Sequence, residues 1–221
     1  MKPMKYTFIA VLLTISMLIV AGANHERQIS DRAKIYDSPQ NVCPILVGTK
    51  IPDITLQDIR GEKVELMKQI SQKSTVLIFY RGGWCVYCNR QLGQLMEIEK
   101  DILDAGFQII AVSPDKPAEI QKSLDQHQMN YTLLSDSPAD AAKAFGIAFR
   151  VDQPMLKKLT EYKIDINKAS GYDHNILPVP AVFVIDTKGV ITFQYINPAY
   201  TTRLNPSVLL AAVKAEAAKS K

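Results

Sequence analysis

The sequence has little of what builds metal centres or disulfide scaffolds. Its 221 residues include three cysteines, three histidines and one tryptophan. Three cysteines are too few to staple a small secreted fold, and a zinc site built on a cysteine pair needs two more Cys or His ligands at similar spacing. Only Cys43 stands outside the pair Cys85 and Cys88, and no two histidines are neighbours in the sequence. We therefore predict no metal ion and no other cofactor.

The sequence also lacks a strong excess of charge. Lysine and arginine number 26 against 22 aspartates and glutamates, a formal net charge of +4. So small an excess gives no electrostatic reason to expect nucleic acid as a partner. Hydrophobic residues make up 47% of the chain and charged residues 22%, as in ordinary globular proteins. A chain of this length and composition can bury a full core in one domain.

The N-terminus has the three-part pattern of a secretory signal peptide. Residues 1–5 are basic, residues 6–20 are apolar and uncharged, and Ala21-Gly22-Ala23 offers a cleavage site between small residues. The apolar run is short for a membrane span of about 20 residues. We predict that residues 1–23 are cleaved and that the protein is exported to an oxidising compartment, the periplasm. The alternative is an uncleaved leader that anchors the chain, which would be its only contact with the membrane.

The Cys-x-x-Cys sequence from Cys85 to Cys88 lies where a predicted strand ends and a predicted helix begins. Residues 75–80 are the apolar, β-branched and aromatic run of a buried strand, and the helical pattern ends near residue 104. The amide dipoles of a helix N-terminus lower the pKa of a thiol placed there. Two such thiols can exchange two electrons by making and breaking a disulfide. A c-type haem would need a histidine in place of Asn89, and a purely structural disulfide would close too short a loop to restrain the unfolded chain much.

Strand and helix patterns alternate along the rest of the chain. A small hairpin is predicted over residues 51–66, and a terminal helix over residues 206–219. The other predicted strands lie at residues 75–80, 107–112, 131–134, 181–186 and 190–195. We interpret residues 24–46 as a partly ordered leader and residues 47–221 as one domain, with an insertion near residues 149–172 that packs by the active face. This order predicts an α/β fold with a central mixed sheet, helices on both faces and an N-terminal β-hairpin extension.

These features resemble the thioredoxin fold. Val179-Pro180 stands directly before the strand at residues 181–186, where that fold has a cis proline facing its cysteine pair. The resemblance implies a cis peptide bond at Pro180. It also implies that Trp84, the residue before the pair, shields the site.

Within that fold the chain is similar to the peroxiredoxin-like family of alkyl hydroperoxide reductases and thiol-specific antioxidants. The likeness extends over about residues 47–218. Its motifs are residues 48–56, Phe79-Tyr80, residues 111–115, and residues 183–186 with Gly189. The resemblance implies a thiol-based oxidoreductase whose catalytic residues, Cys85 and Cys88, form a redox-active disulfide. It further implies a peroxide as substrate and a thiol reductant protein as partner.

Two departures from the family pattern affect the assignment of roles. Peroxiredoxins have Pro and Thr where this chain has Arg81 and Cys85, and in that register Cys88 attacks the peroxide. They also place an arginine before their last long strands, where this chain has Pro180, so Arg81 is the candidate source of positive charge. Thioredoxins instead attack with the first cysteine, which gives Cys85 the attacking role and Cys88 the resolving role. The sequence leaves this choice open.

Three functions fit these residues. The first is a thiol peroxidase that cycles between dithiol and disulfide. The second is a thiol–disulfide oxidoreductase that acts on protein disulfides without peroxidase activity. The third is a non-enzymatic redox or metal-carrying module. Cys43 is expected to be a small buried hydrophobic residue, with a role as a third redox partner as the alternative.

Overall fold

The computed structural model describes residues 34–127 and 131–219. The predicted signal peptide lies outside these residues. Among the residues that are described, no helix is both long and apolar enough to cross a membrane.

The described part of the chain forms nine strands and seven α-helices. The strands are β1 (Thr55–Gln57), β2 (Lys63–Glu65), β3 (Ser74–Phe79), β4 (Phe107–Ser113), β5 (Thr132–Ser135), β6 (Ala148–Arg150), β7 (Ile176–Pro178), β8 (Ala181–Ile185) and β9 (Ile191–Ile196). The helices are α1 (Leu66–Gln72), α2 (Val86–Asp104), α3 (Pro117–His127), α4 (Asp140–Ala144), α5 (Gln153–Glu161), α6 (Ile166–Ser170) and α7 (Pro206–Lys219). These bounds agree with the predicted hairpins and helices to within a few residues.

Seven of the strands form one mixed sheet in the order β2-β1-β5-β4-β3-β8-β9. Strand β3 lies inside the sheet, parallel to its neighbour β4 and antiparallel to its neighbour β8. Its side chains alternate between two cores: Leu77 and Phe79 pack with α1 and α4, whereas Val76 and Ile78 pack with α2, α3 and α7. The sheet is therefore covered by helices on both faces, and the predicted thioredoxin-like α/β architecture is confirmed.

A second, smaller sheet borders the predicted insertion near residues 149–172. Strand β6 pairs antiparallel with β7, and Tyr36 of the leader forms a bridge to Phe149 on the other edge of β6. Each of these strands has only three residues, which is too short for an alternating pattern to show in the sequence. Helix α5 follows β6 and packs Leu159 in a small core beside Trp84.

The prediction of a cis peptide bond at Pro180 is wrong. No peptide bond is cis in the two described stretches. The amide of Val179 donates to Ile147, and the carbonyl of Pro180 accepts from Asn197. These bonds hold an extended link from β7 into β8, whereas a cis proline typically serves a tight turn.

Candidate active site

The loop between β3 and α2 is fixed in place by a buried carboxylate. The Gly83 amide donates to Asp115 Oδ2 at 2.7 Å, and the indole of Trp84 donates to the same side chain. Gly82 has φ +141°, and a Cβ there would lie 2.7 Å from Asp115 Oδ1. Because L side chains rarely adopt that conformation, glycine is needed at this position. The loop thus brings the cysteines to the helix in one defined orientation.

The two cysteines lie at the N-terminus of α2, as the sequence predicts. Cys85 is the N-cap residue, and its Sγ accepts the Cys88 amide at 3.3 Å. Both thiols are free, and their side chains are buried: Cys85 is 4% exposed and Cys88 is 0% exposed. Helix α2 has 19 residues, so its dipole favours negative charge on a sulfur at this end.

An arginine that sequence reasoning missed contacts both sulfurs. Nη2 of Arg203 lies 3.3 Å from Cys88 Sγ and 3.9 Å from Cys85 Sγ. Arg203 belongs to the loop between β9 and α7. Strand topology explains its position, because Phe79 pairs with Ala181 and Ala181 pairs with Ile196, so β3 and β9 end at the same edge of the sheet. The sequence did offer one signal for this role, which is a basic residue in the loop after the last predicted strand.

Arg81 contributes to the site through both its backbone and its side chain. Its backbone amide donates to Cys88 Sγ at 3.4 Å. Its side chain is 3% exposed, and the guanidinium lies over the ring of Tyr200 at 4.1 Å and over that of Trp84 at 5.1 Å. Such cation–π contacts hold the buried charge between two aromatic faces.

These contacts separate the pKa values of the two thiols. The pKa of Cys85 is lowered to about 6, first by the hydrogen bond from the Cys88 thiol and further by the Arg81 and Arg203 cations. Burial, followed by the same hydrogen bond, raises the pKa of Cys88 well above its ordinary value. These opposite shifts favour the thiolate on Cys85, with Cys88 as the thiol that donates a hydrogen bond to it.

Two cavities open beside this pair. The first, of about 470 Å³, is lined by Cys85, Arg81 and Tyr200 together with side chains of α5. The second, of about 410 Å³, is lined by Arg81, Tyr200, Pro180 and residues 37–40 of the leader. Cys85 thus lines the first cavity, Pro180 lines the second, and Arg81 lines both.

Cys43 is exposed, so the expectation that it is buried is wrong. Its backbone, rather than its side chain, packs against the domain: a Cβ at Gly146 would lie 3.0 Å from the Cys43 carbonyl carbon. Cys43 lines neither of the two cavities. Throughout residues 34–127 and 131–219, no group of three or more His, Cys, Asp or Glu side chains is arranged to hold a metal ion.

Comparison with known proteins gives relatives of two kinds. Peroxiredoxin Bcp of Escherichia coli is 28% identical over 104 residues, which are 47% of this chain and 66% of that protein. The thiol-disulfide oxidoreductase ResA of Halalkalibacterium halodurans is 26% identical over 101 residues, 45% of this chain and 56% of that protein. Each match spans less than two thirds of the relative.

Solved structures show the same fold. A peroxiredoxin 6 from Arenicola marina superposes with a TM-score of 0.65 at 18% identity, covering 80% of this chain and 76% of that one. A sequence model described as the AhpC/TSA family matches residues 47–194, more than half of the chain. These residues include the central sheet except the last two residues of β9, the loop that carries both cysteines, and helix α2. The chain therefore belongs to the AhpC/TSA family.

Proposed function

We propose that this protein is a thiol peroxidase in which Cys85 attacks the peroxide and Cys88 resolves the product. The observation that carries the proposal is that two guanidinium groups lie close to two reduced sulfurs in one buried site. Arg203 contacts both sulfurs, and Arg81 lies beside Cys85 in the wall of its cavity. Fixed positive charge in a dry site stabilises negative charge as it develops on oxygen.

The reaction follows from the charges. The Cys85 thiolate attacks one peroxide oxygen and the O–O bond breaks, giving a sulfenic acid on Cys85 and an alkoxide or hydroxide that takes up a proton. Cys88 then loses its proton and attacks Cys85 Sγ. Hydroxide leaves and is protonated to water as the Cys85–Cys88 disulfide forms. In total, two thiols are oxidised to one disulfide. An alkyl hydroperoxide is reduced to one alcohol and one water, and hydrogen peroxide is reduced to two waters.

Access and acidity support Cys85 as the attacking residue. Cys85 lines the larger cavity, whereas Cys88 is 0% exposed. The lowered pKa of Cys85 and the raised pKa of Cys88 support the same assignment, because they favour the thiolate on the residue that lines the cavity. The position that the family register gives to the attacking cysteine is occupied here by the better buried thiol.

A second function is favoured by the same order of pKa values and by the ResA relative. In a thiol–disulfide oxidoreductase, the Cys85 thiolate attacks a protein disulfide and forms a mixed disulfide. Cys88 then attacks Cys85 Sγ and releases the partner as a thiol. No oxyanion develops in this reaction. The two arginines would therefore contribute less to it than to peroxide reduction.

The test is hydrogen peroxide consumption by the reduced protein with dithiothreitol, alongside Cys85→Ser and Cys88→Ser. We expect Cys85→Ser to abolish turnover. Cys88→Ser should still consume one equivalent of peroxide in a single turnover and accumulate a sulfenic acid detectable by a dimedone probe. Insulin reduction without peroxide consumption would replace the proposal with the second function.

We also propose that the protein acts after export, on the support of the pattern in residues 1–23. The N-terminal sequence of the mature protein tests this. A mature chain that begins at Asn24 in the periplasmic fraction is the expected result. A membrane-bound chain that begins at Met1 would instead support the anchored alternative.

A further inference from the structure

The cavity that contains Cys85 carries charge of one sign. Arg81 and Lys158 line it, the remaining wall is mainly aromatic and aliphatic, and none of the described residues lining it is acidic. Arg81 is the unusual member, because its side chain is 3% exposed and its Nε has no hydrogen-bond partner. The ion pairs of the described residues do not include it. Two aromatic rings already pack on this cation, and an anion beside it further lowers the cost of burying its charge.

The redox state decides which anion that is. In the reduced protein the Cys85 thiolate lies beside Arg81 and Arg203 and offsets their charge. Formation of the disulfide removes the thiolate, and neither guanidinium group forms an ion pair with a described residue that would replace it. The affinity of the cavity for an anion therefore rises on oxidation, and the molecule that must next react with the oxidised pair is the reductant.

We propose that this cavity is a binding site for a low-molecular-mass thiol that carries a carboxylate, with the carboxylate on Arg81, Lys158 at the mouth and the sulfur at Cys85. The proposal rests on the proposed function in so far as the pair must cycle through its disulfide. A carboxylate-bearing hydroperoxide is the poorer occupant, because it would meet the reduced site, where the Cys85 thiolate repels it.

The reaction at this site is a thiol–disulfide exchange. The thiolate of the reductant attacks Cys85 Sγ, and the electron pair of the Cys85–Cys88 bond goes to Cys88, which takes a proton. A second reductant thiolate attacks the reductant sulfur of the mixed disulfide and releases Cys85 as a thiolate. Two reductant thiols are oxidised to one disulfide, and the protein gains the two electrons.

The experiment measures single-turnover reduction of the full chain after oxidation with diamide. Trp84, the only tryptophan, precedes Cys85 and reports the reaction by fluorescence. The probes are 3-mercaptopropionate and neutral 2-mercaptoethanol. Each rate is divided by the rate of the same thiol with a small neutral disulfide, which removes differences in intrinsic reactivity. We expect 3-mercaptopropionate to be favoured by roughly tenfold or more at low salt, and the preference to fall as salt is added.

Two neighbouring lysines on α5 provide a matched pair of variants. Lys158 lines the cavity and Lys157 does not, although both are exposed. We expect Lys158→Glu to reduce the preference for 3-mercaptopropionate severalfold and Lys157→Glu to leave it within about twofold, because only the first places a carboxylate at the mouth. Propionate, which has no thiol, should slow the reaction of 3-mercaptopropionate.

Equal normalised rates for the two thiols would overturn the proposal, and so would equal effects of the two lysine variants. The readout does not depend on peroxide turnover, since diamide supplies the oxidised protein. Loss of peroxidase activity with the preference intact would therefore count against the proposed function and not against this site.

Discussion

Two loops meet at one edge of the central sheet, and they divide the site between them. The loop before α2 carries both sulfurs and is held from outside by Asp115. The loop before α7 carries Arg203 and Tyr200, which contact the sulfurs and the Arg81 guanidinium respectively. The first loop fixes where the reacting atoms lie, and the second supplies much of the charge and packing around them. The comparison shows that the first loop sets the geometry of the thiols and part of their acidity, whereas the second loop adds a further cation beside both sulfurs.

The sharpest test of this division is Arg203→Met. It leaves the sulfur loop intact but removes the cation nearest to both thiols, so peroxide turnover should fall about 100-fold, as when one oxyanion donor is removed. The pKa of Cys85 should rise because one cause of its lowering is lost. Iodoacetamide alkylation of the wild type, which needs the thiolate, should therefore reach half its maximum near pH 6, and that of the variant at higher pH.

Arg90→Met is the matched control, because Arg90 is exposed on α2. It should leave both turnover and the alkylation profile unchanged. Arg203→Lys should recover part of the lost activity by restoring the charge. If Arg203→Met behaves like Arg90→Met, the loop before α7 has no part in acidity and the division is wrong.

Gly82→Ala tests the geometry of the first loop. A Cβ at φ +141° is strained and meets Trp84 and Asp115, so the free energy of unfolding should fall by about 2 kcal/mol. Urea denaturation measures this. Gly93→Ala on α2, where a Cβ has open space, should instead stabilise the protein by up to about 1 kcal/mol. Equal midpoints for the two variants would show that the loop tolerates other conformations.

Tyr200→Ala tests the packing supplied by the second loop. Loss of the ring under Arg81 should cost about 1 kcal/mol in transition-state stabilisation, roughly a fivefold fall in kcat/KM for peroxide. Tyr200→Phe keeps the aromatic face and should retain most of the wild-type value. A phenylalanine variant as poor as the alanine variant would assign the effect to the hydroxyl rather than to the ring.

The smallest expected effect is that of Asp115→Asn. Burial raises the pKa of Asp115 to about 6, and its charge also acts on Cys85. The amide removes that charge, so the alkylation profile of Cys85 should move slightly to lower pH. A shift to higher pH would mean that the variant has disturbed the loop itself, and near-ultraviolet circular dichroism of Trp84 would detect this.

The sequence was sufficient for features that are encoded locally. A buried strand, a glycine pair and a helical pattern placed Cys85 and Cys88 correctly, because each of those signals spans only a few neighbouring residues. Arg203 and the β6–β7 pairing were missed, since both depend on contacts between residues far apart in the chain. The cis bond expected at Pro180 came from resemblance, and the local hydrogen bonds of this chain do not support it.

The position of Arg203 also bears on how this active site is compared with those of its relatives. The family match ends at residue 194, so the cation that touches both sulfurs lies outside the segment by which the chain is recognised as a relative. The family's usual arginine position holds Pro180, yet positive charge still reaches the thiols from another loop. The charge beside the thiols of this chain thus comes from a residue that a comparison restricted to the family segment would not include. Homologues without the expected arginine therefore deserve a search of the loop after their last strand before they are classed as inactive.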